Sequence, residues 1–494
     1  MFHISDCRKY SRCPRLFHLE WNAPKREYQP YVRLDEEVSD LVIRKLGIRD
    51  YWLGKRGDPA EDAVIAAETY DWLVKARFEY GDLRVKVPFM HRVKDAWDVY
   101  FLFIGLYPHA EGLEMYGDTV WVLEQLGYKV GELRIVHLNA SYVRQEELDV
   151  NQMFIVSDFF YNSSCNPSKR ITAEVRARMK DPSDLIAEMK ECLEGDTPLP
   201  CRTSKCASRV RCRYYQECFP DEKREDDNSI VTLISSRYKY DMKKEGLLRL
   251  KEADPERIEG HRMQYAQIAA DQGNGLYVDR MALRSWLDNI DFPITFLDFE
   301  WERFAIPPYQ GMKPYDVLPF EYSIHIMDAN RSLQHKVFLS IHDDRREMAE
   351  SLLRDIPKEG SVIAYNAEGA EKIRIKELAD MYPDLAEDLM DINRRMEDLQ
   401  LPFESGTVYD TRMRGTWSLK TIMGMMDDES GYHDLDIAQG MDAVYEWRHL
   451  DLSDADEEEK QKIIENLKEY CGMDTYAMTV VFLWLISLAD EEPV

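Results

Sequence analysis

The segment Ile294-Thr-Phe-Leu-Asp298-Phe-Glu300 constrains the fold of this chain more than any other. A mostly apolar run with no turn former leads straight into two acids spaced by one residue. Extended backbone alternates its side chains, so Asp298 and Glu300 point to the same face. Two carboxylates on one buried face repel each other and resist leaving water, so such a strand loses stability unless a cation sits between them. A pair of Mg²⁺ or Mn²⁺ ions removes that cost. Taken alone, Asp-x-Glu is a common pair and a weak signal, and a strand end facing solvent explains it more readily.

Two further segments carry groups of the same kind. Val362-Ile-Ala-Tyr-Asn366 reads as a second apolar strand ending in Asn, with Glu371 at the start of a helix expected over 370–381. Tyr470-Cys-Gly-Met-Asp474 lies on a helix that continues into the apolar run 477–489, and residues four apart share a helical face. Strands are also expected over 294–299, 321–326 and 336–340, and helices over 240–253 and 347–353. Strands first, then alternating strands and helices, indicate an α/β unit with a mixed sheet covered by helices.

Asp plus Glu outnumber Lys plus Arg by 92 to 64, a formal charge of −28. That balance argues against a chain that coats DNA or anionic lipid non-specifically, while a site with divalent ions or a local basic patch can still take nucleic acid. The N-terminus has no apolar targeting segment, and the run 477–489 is too short to span a bilayer. Nine cysteines in a chain of 494 residues do not make a disulfide framework. A cytoplasmic protein with reduced thiols and no membrane contact is expected.

The N-terminal half is expected to hold helices over 5–21, 36–46, 62–80 and 116–126 and strands over 83–87, 99–104 and 132–138. A charged stretch after Cys218 divides the chain into domains 1–220 and 236–494 with a linker over 221–235. Cys206, Cys212 and Cys218 stand at regular intervals, far from Cys13 in Arg12-Cys13-Pro14-Arg15. Lys205, Arg209, Arg211 and Arg213, interleaved with Tyr214 and Tyr215, suit a nucleic-acid strand or a solvated loop alike.

In order, Asp298-x-Glu300, the Asn366 to Glu371 segment and Tyr470-x-x-x-Asp474 resemble the three motifs of the DEDD superfamily of 3′–5′ exonucleases. The resemblance implies a ribonuclease-H-like fold and two-metal hydrolysis of phosphodiesters. Asp298, Glu300, Glu371 and Asp474 would hold two Mg²⁺ or Mn²⁺ ions, and Tyr470 would orient the attacking water. Glu469 stands where the histidine subtype has His, which implies the tyrosine subtype. The middle motif departs from the pattern: Glu371 replaces the usual Asp and Ala370 the usual aromatic, with Glu368 and Asp398 as other acids that can approach. The chain over residues 230–489 is also similar to a bacterial family in which such a domain follows a RecB-like module. That likeness rests on Phe296-Leu-Asp-Phe-Glu300, Ile306-Pro-Pro-Tyr309, Pro319-Phe320-Glu-Tyr-Ser323 and Gly415-Thr-Trp-Ser418-Leu-Lys420. It implies Asn366, Ser418 and Lys420 as substrate contacts, although a helix cap with a solvated Lys explains the last two equally.

One early and three late cysteines resemble RecB-type nucleases such as the CRISPR-associated exonucleases. This implies that Cys13, Cys206, Cys212 and Cys218 ligate a 4Fe–4S cluster, with Zn²⁺ or plain buried thiols as alternatives. Phe101 and Phe103 stand where a PD-(D/E)XK core needs Glu and Lys, so the resemblance implies a degenerate RecB-like domain kept as a scaffold. The expected whole is a two-metal 3′–5′ exonuclease acting on DNA with a free 3′ end, RNA being admitted too, whose N-terminal domain positions the strand. Protein partners in DNA processing or defence follow from the same likeness. The alternative is a protein that has lost catalysis in both domains and serves as an iron–sulfur nucleic-acid-binding or partner-recruiting factor.

Overall fold

In the computed structural model, which describes residues 1–23, 33–203, 205–206, 212–220, 227–426, 440–452 and 456–490, the chain forms two units. The first is Met1–Pro220 with Phe304–Asp316, and the second is Asp221–Arg303 with Val317–Val494. Both are mixed α/β.

Pro14 splits the first expected helix in two, Ile4–Arg12 and Pro14–Asn22, because proline lacks the amide an unbroken helix needs. Cys13 between them is extended and accepts the Leu16 amide on its sulfur (3.5 Å). The first unit's strands are β1 (Phe2–His3), β2 (Trp52–Leu53), β3 (Trp72–Tyr80), β4 (Leu83–Val93), β5 (Ala96–Phe103), β6 (Val130–Leu138) and β7 (Phe154–Ser157). They form one seven-stranded sheet in the order β2-β3-β4-β5-β6-β7, with β1 beside β4. β5 runs antiparallel to β4 and parallel to β6. A small hairpin, β8 (Phe159–Tyr161) and β9 (Pro167–Arg170), stands apart. The helix expected over 62–80 is instead a helix Ala60–Thr69 followed by β3. Burial in β3 alternates through its later residues, with Ala76 and Phe78 inward, and cross-strand pairing with β4 overrides the helical reading.

Phe304–Asp316, expected within the domain 236–494, belongs to the first unit. Ala305 is buried in a cluster with Phe89 and Val136, and Tyr315 donates its hydroxyl to the Ile104 carbonyl (2.6 Å). Arg144 exchanges backbone bonds with Gly311 and Met312 and donates a side-chain bond to the Pro307 carbonyl (2.8 Å).

In the second unit, β10 (Leu276–Val278) pairs with β16 (Val408–Asp410). The main sheet comprises β11 (Ile294–Arg303), β12 (Val317–Met327), β13 (Leu333–Leu339), β14 (Val362–Ala364) and β15 (Met396–Asp398), in the order β13-β12-β11-β14-β15. β12 is antiparallel to β11 and β13, whereas β14 and β15 continue parallel to β11. Strand alternation sends Phe296 to one face, with Met478, Val481 and Phe482 of the helix Glu457–Asp490. Leu297 goes to the other, with Leu352, Ile375 and Leu389 of three helices. The helix Glu457–Asp490 is long and apolar enough to cross a membrane by length and composition, but 56% of its apolar window is buried within the protein.

Ile230 and Leu233, expected in the linker 221–235, are fully buried with Met242 and Leu250. Residues 221–226 lie outside the described residues, as do Arg209 and Arg211. The helix expected over 240–253 closes at Lys244, after which Gly246 takes φ +94 and only a short 3-10 turn follows.

Candidate functional site

β11 pairs with β14 only through Thr295 and Phe296. Beyond that point the pairing of the two parallel strands stops, and Asp298 and Glu300 follow on β11. Chain order reverses between these neighbours, since β11 leads to β12 on one side and β14 lies on the other. Such a switch point at the carboxyl ends of parallel strands is where open α/β sheets place ligands. The helix Glu457–Asp490 covers the same face and brings Asp474 there. Carboxylate oxygens of Asp298, Glu300 and Asp474 all lie within 4.8 Å of one another.

This proximity is electrostatically unfavourable by itself. Burial, and then the charge of Asp474, raise the Asp298 carboxyl well above the ordinary carboxylate range. Glu300 is raised by burial and then by Asp298, Asp474 and Glu321. The Cys471 thiol faces Asp298 Oδ2 at 3.8 Å and is itself buried. Glu371, the first residue of its helix, is 2% exposed, and its Oε2 has no hydrogen-bond partner. Its carboxyl too is raised, by burial first and by Asp298 next.

Tyr470 is buried, and its hydroxyl accepts from Lys420 Nζ at 3.2 Å. The same ammonium lies 4.9 Å from the ring centroid. Burial, and then Asp474, Glu300 and Asp298, hold the phenol protonated far above neutral pH. Ser418 accepts the Thr421 amide (3.2 Å), which is helix-cap geometry. Asn366 is exposed with φ 63, and its amide donates to Asp398 Oδ1 (2.9 Å). Asp398 also accepts the Gln400 amide (2.8 Å), so this acid holds a turn together. Glu368 is exposed and ion-paired with Lys372.

One buried acid escaped the sequence reading. Glu321 sits on β12 directly opposite Glu300 and is fully buried. Its neighbours on that face are Ser323 and His325, so β12 alternates apolar and polar residues. Such a pattern ordinarily marks a solvent face. Here the helix Glu457–Asp490 lies over it, with Thr475 bonded to both Ser323 and His325 (2.8 Å each).

In the first unit, Cys13, Cys201, Cys206, Cys212 and Cys218 line one cavity. Arg15 Nε donates to Cys218 Sγ (3.2 Å), and Cys212 donates its amide to the Cys206 carbonyl (3.0 Å). Among the described residues no three thiols come within 4.8 Å of one another. Arg213 is ion-paired with Glu20 (2.6 Å). Phe101 is 3% exposed with its ring 4.4 Å from Tyr116, and Asp98 is ion-paired with Arg134 (2.7 Å).

Fold and site together define an α/β protein whose second unit carries a half-buried carboxylate cluster of the chemistry that holds hard divalent cations. The family described as Domain of unknown function (DUF2779) matches residues 295–418, a span that includes Asp298, Glu300, Glu321 and Glu371 and stops short of Tyr470 and Asp474. No curated protein and no solved structure matches the chain.

Proposed function

We propose that the second unit is a ribonuclease-H-like, two-metal 3′–5′ exonuclease of the DEDD type that hydrolyses DNA, with RNA as a further substrate. The observation that carries this reading is the convergence of Asp298, Glu300 and Asp474 within 4.8 Å, where Lys420 only partly offsets the three carboxylates. The donor set fits the ions. It consists of hard oxygens, and the unpartnered Oε2 of Glu371, which lies outside that 4.8 Å group but acts electrostatically with Asp298, would supply a fourth carboxylate.

Asp298, Glu300, Glu371 and Asp474 would hold Mg²⁺ or Mn²⁺. Bound there, the ions lower the pKa of a water and neutralise charge on the departing 3′ oxygen. Tyr470 stays a neutral phenol, so it orients a water by hydrogen bonding and does not remove its proton. Lys420 occupies the acceptor side of that hydroxyl and leaves its O–H to point into the site. Asn366 is exposed just past the end of β14 and remains available to the substrate, whereas Ser418 acts by capping the helix that presents Lys420.

The first unit fits a degenerate RecB-like PD-(D/E)XK scaffold that positions the strand, since Phe101 serves packing. A 4Fe–4S cluster on Cys13, Cys206, Cys212 and Cys218 is favoured over Zn²⁺. Cys206, Cys212 and Cys218 are each six residues apart, wider than the close Cys pairs usual at zinc, and they line one cavity with Cys13. The protein would work in the cytoplasm, away from membranes, with partners in DNA processing or defence.

The test is release of mononucleotides from labelled single- and double-stranded DNA and RNA by the full-length protein with Mn²⁺. Metal-dependent release from the 3′ end supports the reading. Absence of release from all four substrates, in protein that binds Mn²⁺, overturns it in favour of a binding protein.

A further inference from the structure

Three other buried acids of the second unit are matched by cations or amides. Glu302 is ion-paired with Arg448 (2.5 Å) and Asp410 with Arg412 (2.7 Å). Asp271 takes Arg249 (3.1 Å), the Asn228 side chain (2.6 Å) and the Lys251 amide (2.9 Å). Glu321 breaks this rule. It is 0% exposed, and neither carboxylate oxygen has a hydrogen-bond partner. An uncompensated carboxylate in such a place is strongly destabilising, because desolvation is not offset by any donor. Among the described residues no hydrogen bond gives a reason for its presence.

Its position gives one. Directly opposed residues on antiparallel strands carry their Cβ atoms about 5 Å apart on the same face. Glu321 opposes Glu300, and Asp298 opposes Ser323, the next residue on that face of β12. Glu321 therefore shares the surface that carries Asp298 and Glu300, beneath the helix that supplies Asp474. The charges of Asp298, diagonal to it across the strand pair, and of Lys468 on the same covering helix act on it.

We propose that Glu321 is an additional carboxylate ligand of the divalent-ion site, contributed by β12, so that two adjacent strands hold the cations jointly. This rests on the proposed metal-dependent reading and adds to it a donor outside the four that the exonuclease resemblance implies. A ligand from β12 ties the ions to the strand next to β11, and its extra negative charge raises the affinity of the site for divalent ions over monovalent ones. Gln at this position keeps the volume and removes the charge.

The probe is Mn²⁺ alone, titrated into full-length metal-depleted protein, with free Mn²⁺ read by electron paramagnetic resonance. Wild type, Glu321→Gln and Asp298→Asn are compared for the tight sites. The expected result is a loss of affinity of at least about tenfold in Glu321→Gln, with a larger loss in Asp298→Asn. Wild-type affinity in Glu321→Gln together with weakened binding in Asp298→Asn overturns the role of Glu321 and leaves the metal site standing. Wild-type affinity in both variants, or no tight binding in wild type, overturns both. Should the Gln variant not fold, Mn²⁺-loaded crystals of the wild type decide. A Glu321 oxygen about 2.1 Å from an ion is expected, and separation by a full water layer from every ion overturns the proposal.

Discussion

β5 of the first unit and β11 of the second are built on one plan. Each has an antiparallel neighbour on one side and a parallel one on the other. Each carries two side chains spaced by one residue that share a face. In β5 they are Phe101 and Phe103, and Phe101 is packed against Tyr116. In β11 they are Asp298 and Glu300, brought against Asp474. The difference teaches what a strand of this kind can be used for. Two phenyl rings stabilise the fold outright by leaving water. Two carboxylates stabilise it only conditionally, when something positive joins them, and otherwise oppose folding. The acid of the β5 segment, Asp98, already has Arg134, and so asks for no ion.

The sharpest way to break this contrast is Asp298→Asn. If the acids of β11 are retained for metal-dependent chemistry, mononucleotide release in Mn²⁺ should fall by about three orders of magnitude or more, equivalent to at least ~4 kcal/mol of transition-state stabilisation. The metal-free variant should melt no lower than wild type, because one member of a repelling cluster has been neutralised. Release at the wild-type rate would place the chemistry elsewhere.

The reciprocal change is Phe101→Ala. It should cost about 3–4 kcal/mol of stability in the first unit, the ordinary price of emptying a buried phenyl site, read from thermal or denaturant unfolding. Below the melting range, hydrolysis by the second unit should stay within about twofold of wild type. A large loss of activity in a folded variant would mean that β5 still takes part in the reaction.

Much of β11 and its surroundings was legible in the sequence because the elements are apolar runs with clear ends. The strand expected over 294–299 is Ile294–Arg303, the one expected from Val362 to Asn366 is Val362–Ala364, and the helix expected over 370–381 is Glu371–Met381. The resemblance to the exonuclease motifs likewise singled out Asp298, Glu300 and Asp474, which the fold brings together. What escaped depended on packing from distant sequence. Trp72–Tyr80 has residues acceptable to either helix or strand, and only β4 decides between them. Phe304–Asp316 looked like a loop of the second unit because nothing local says where its apolar groups are buried. Glu321 looked like the wet side of an alternating strand until a helix more than a hundred residues later covered it.

Asp118, on the helix Leu113–Gln125, offers a first-unit counterpart to the acids of β11: half-buried, but among the described residues outside any close group of three ligand atoms. Burial and then Glu114, one helical turn away, raise its carboxyl to about 6 from the ordinary 3.8. The folded state therefore binds more protons than the unfolded chain between about pH 4 and pH 6, so stability falls as pH rises through that window and stays lowered above it. Asp118→Asn should thus exceed wild type by about 2–3 kcal/mol at pH 7.5, with the gap closing toward pH 4. Mn²⁺ should leave that gap unchanged. A gap that Mn²⁺ abolishes would mean that the first unit also holds an ion, and the contrast with β11 would be lost.

Tyr470→Phe is the finest cut. It retains the ring under Lys420 and removes the hydroxyl alone. A phenol held protonated contributes one hydrogen bond to a water and no proton transfer, and a single neutral hydrogen bond carries a net ~1–1.5 kcal/mol. The rate constant at saturating DNA should therefore fall about tenfold, with KM and Mn²⁺ affinity near wild type. A loss of a thousandfold would mean that the hydroxyl itself moves the proton. An unchanged rate would leave the orientation of the water to the carboxylates of β11 and Asp474 alone, which makes this smallest effect the one that separates positioning from charge in the site.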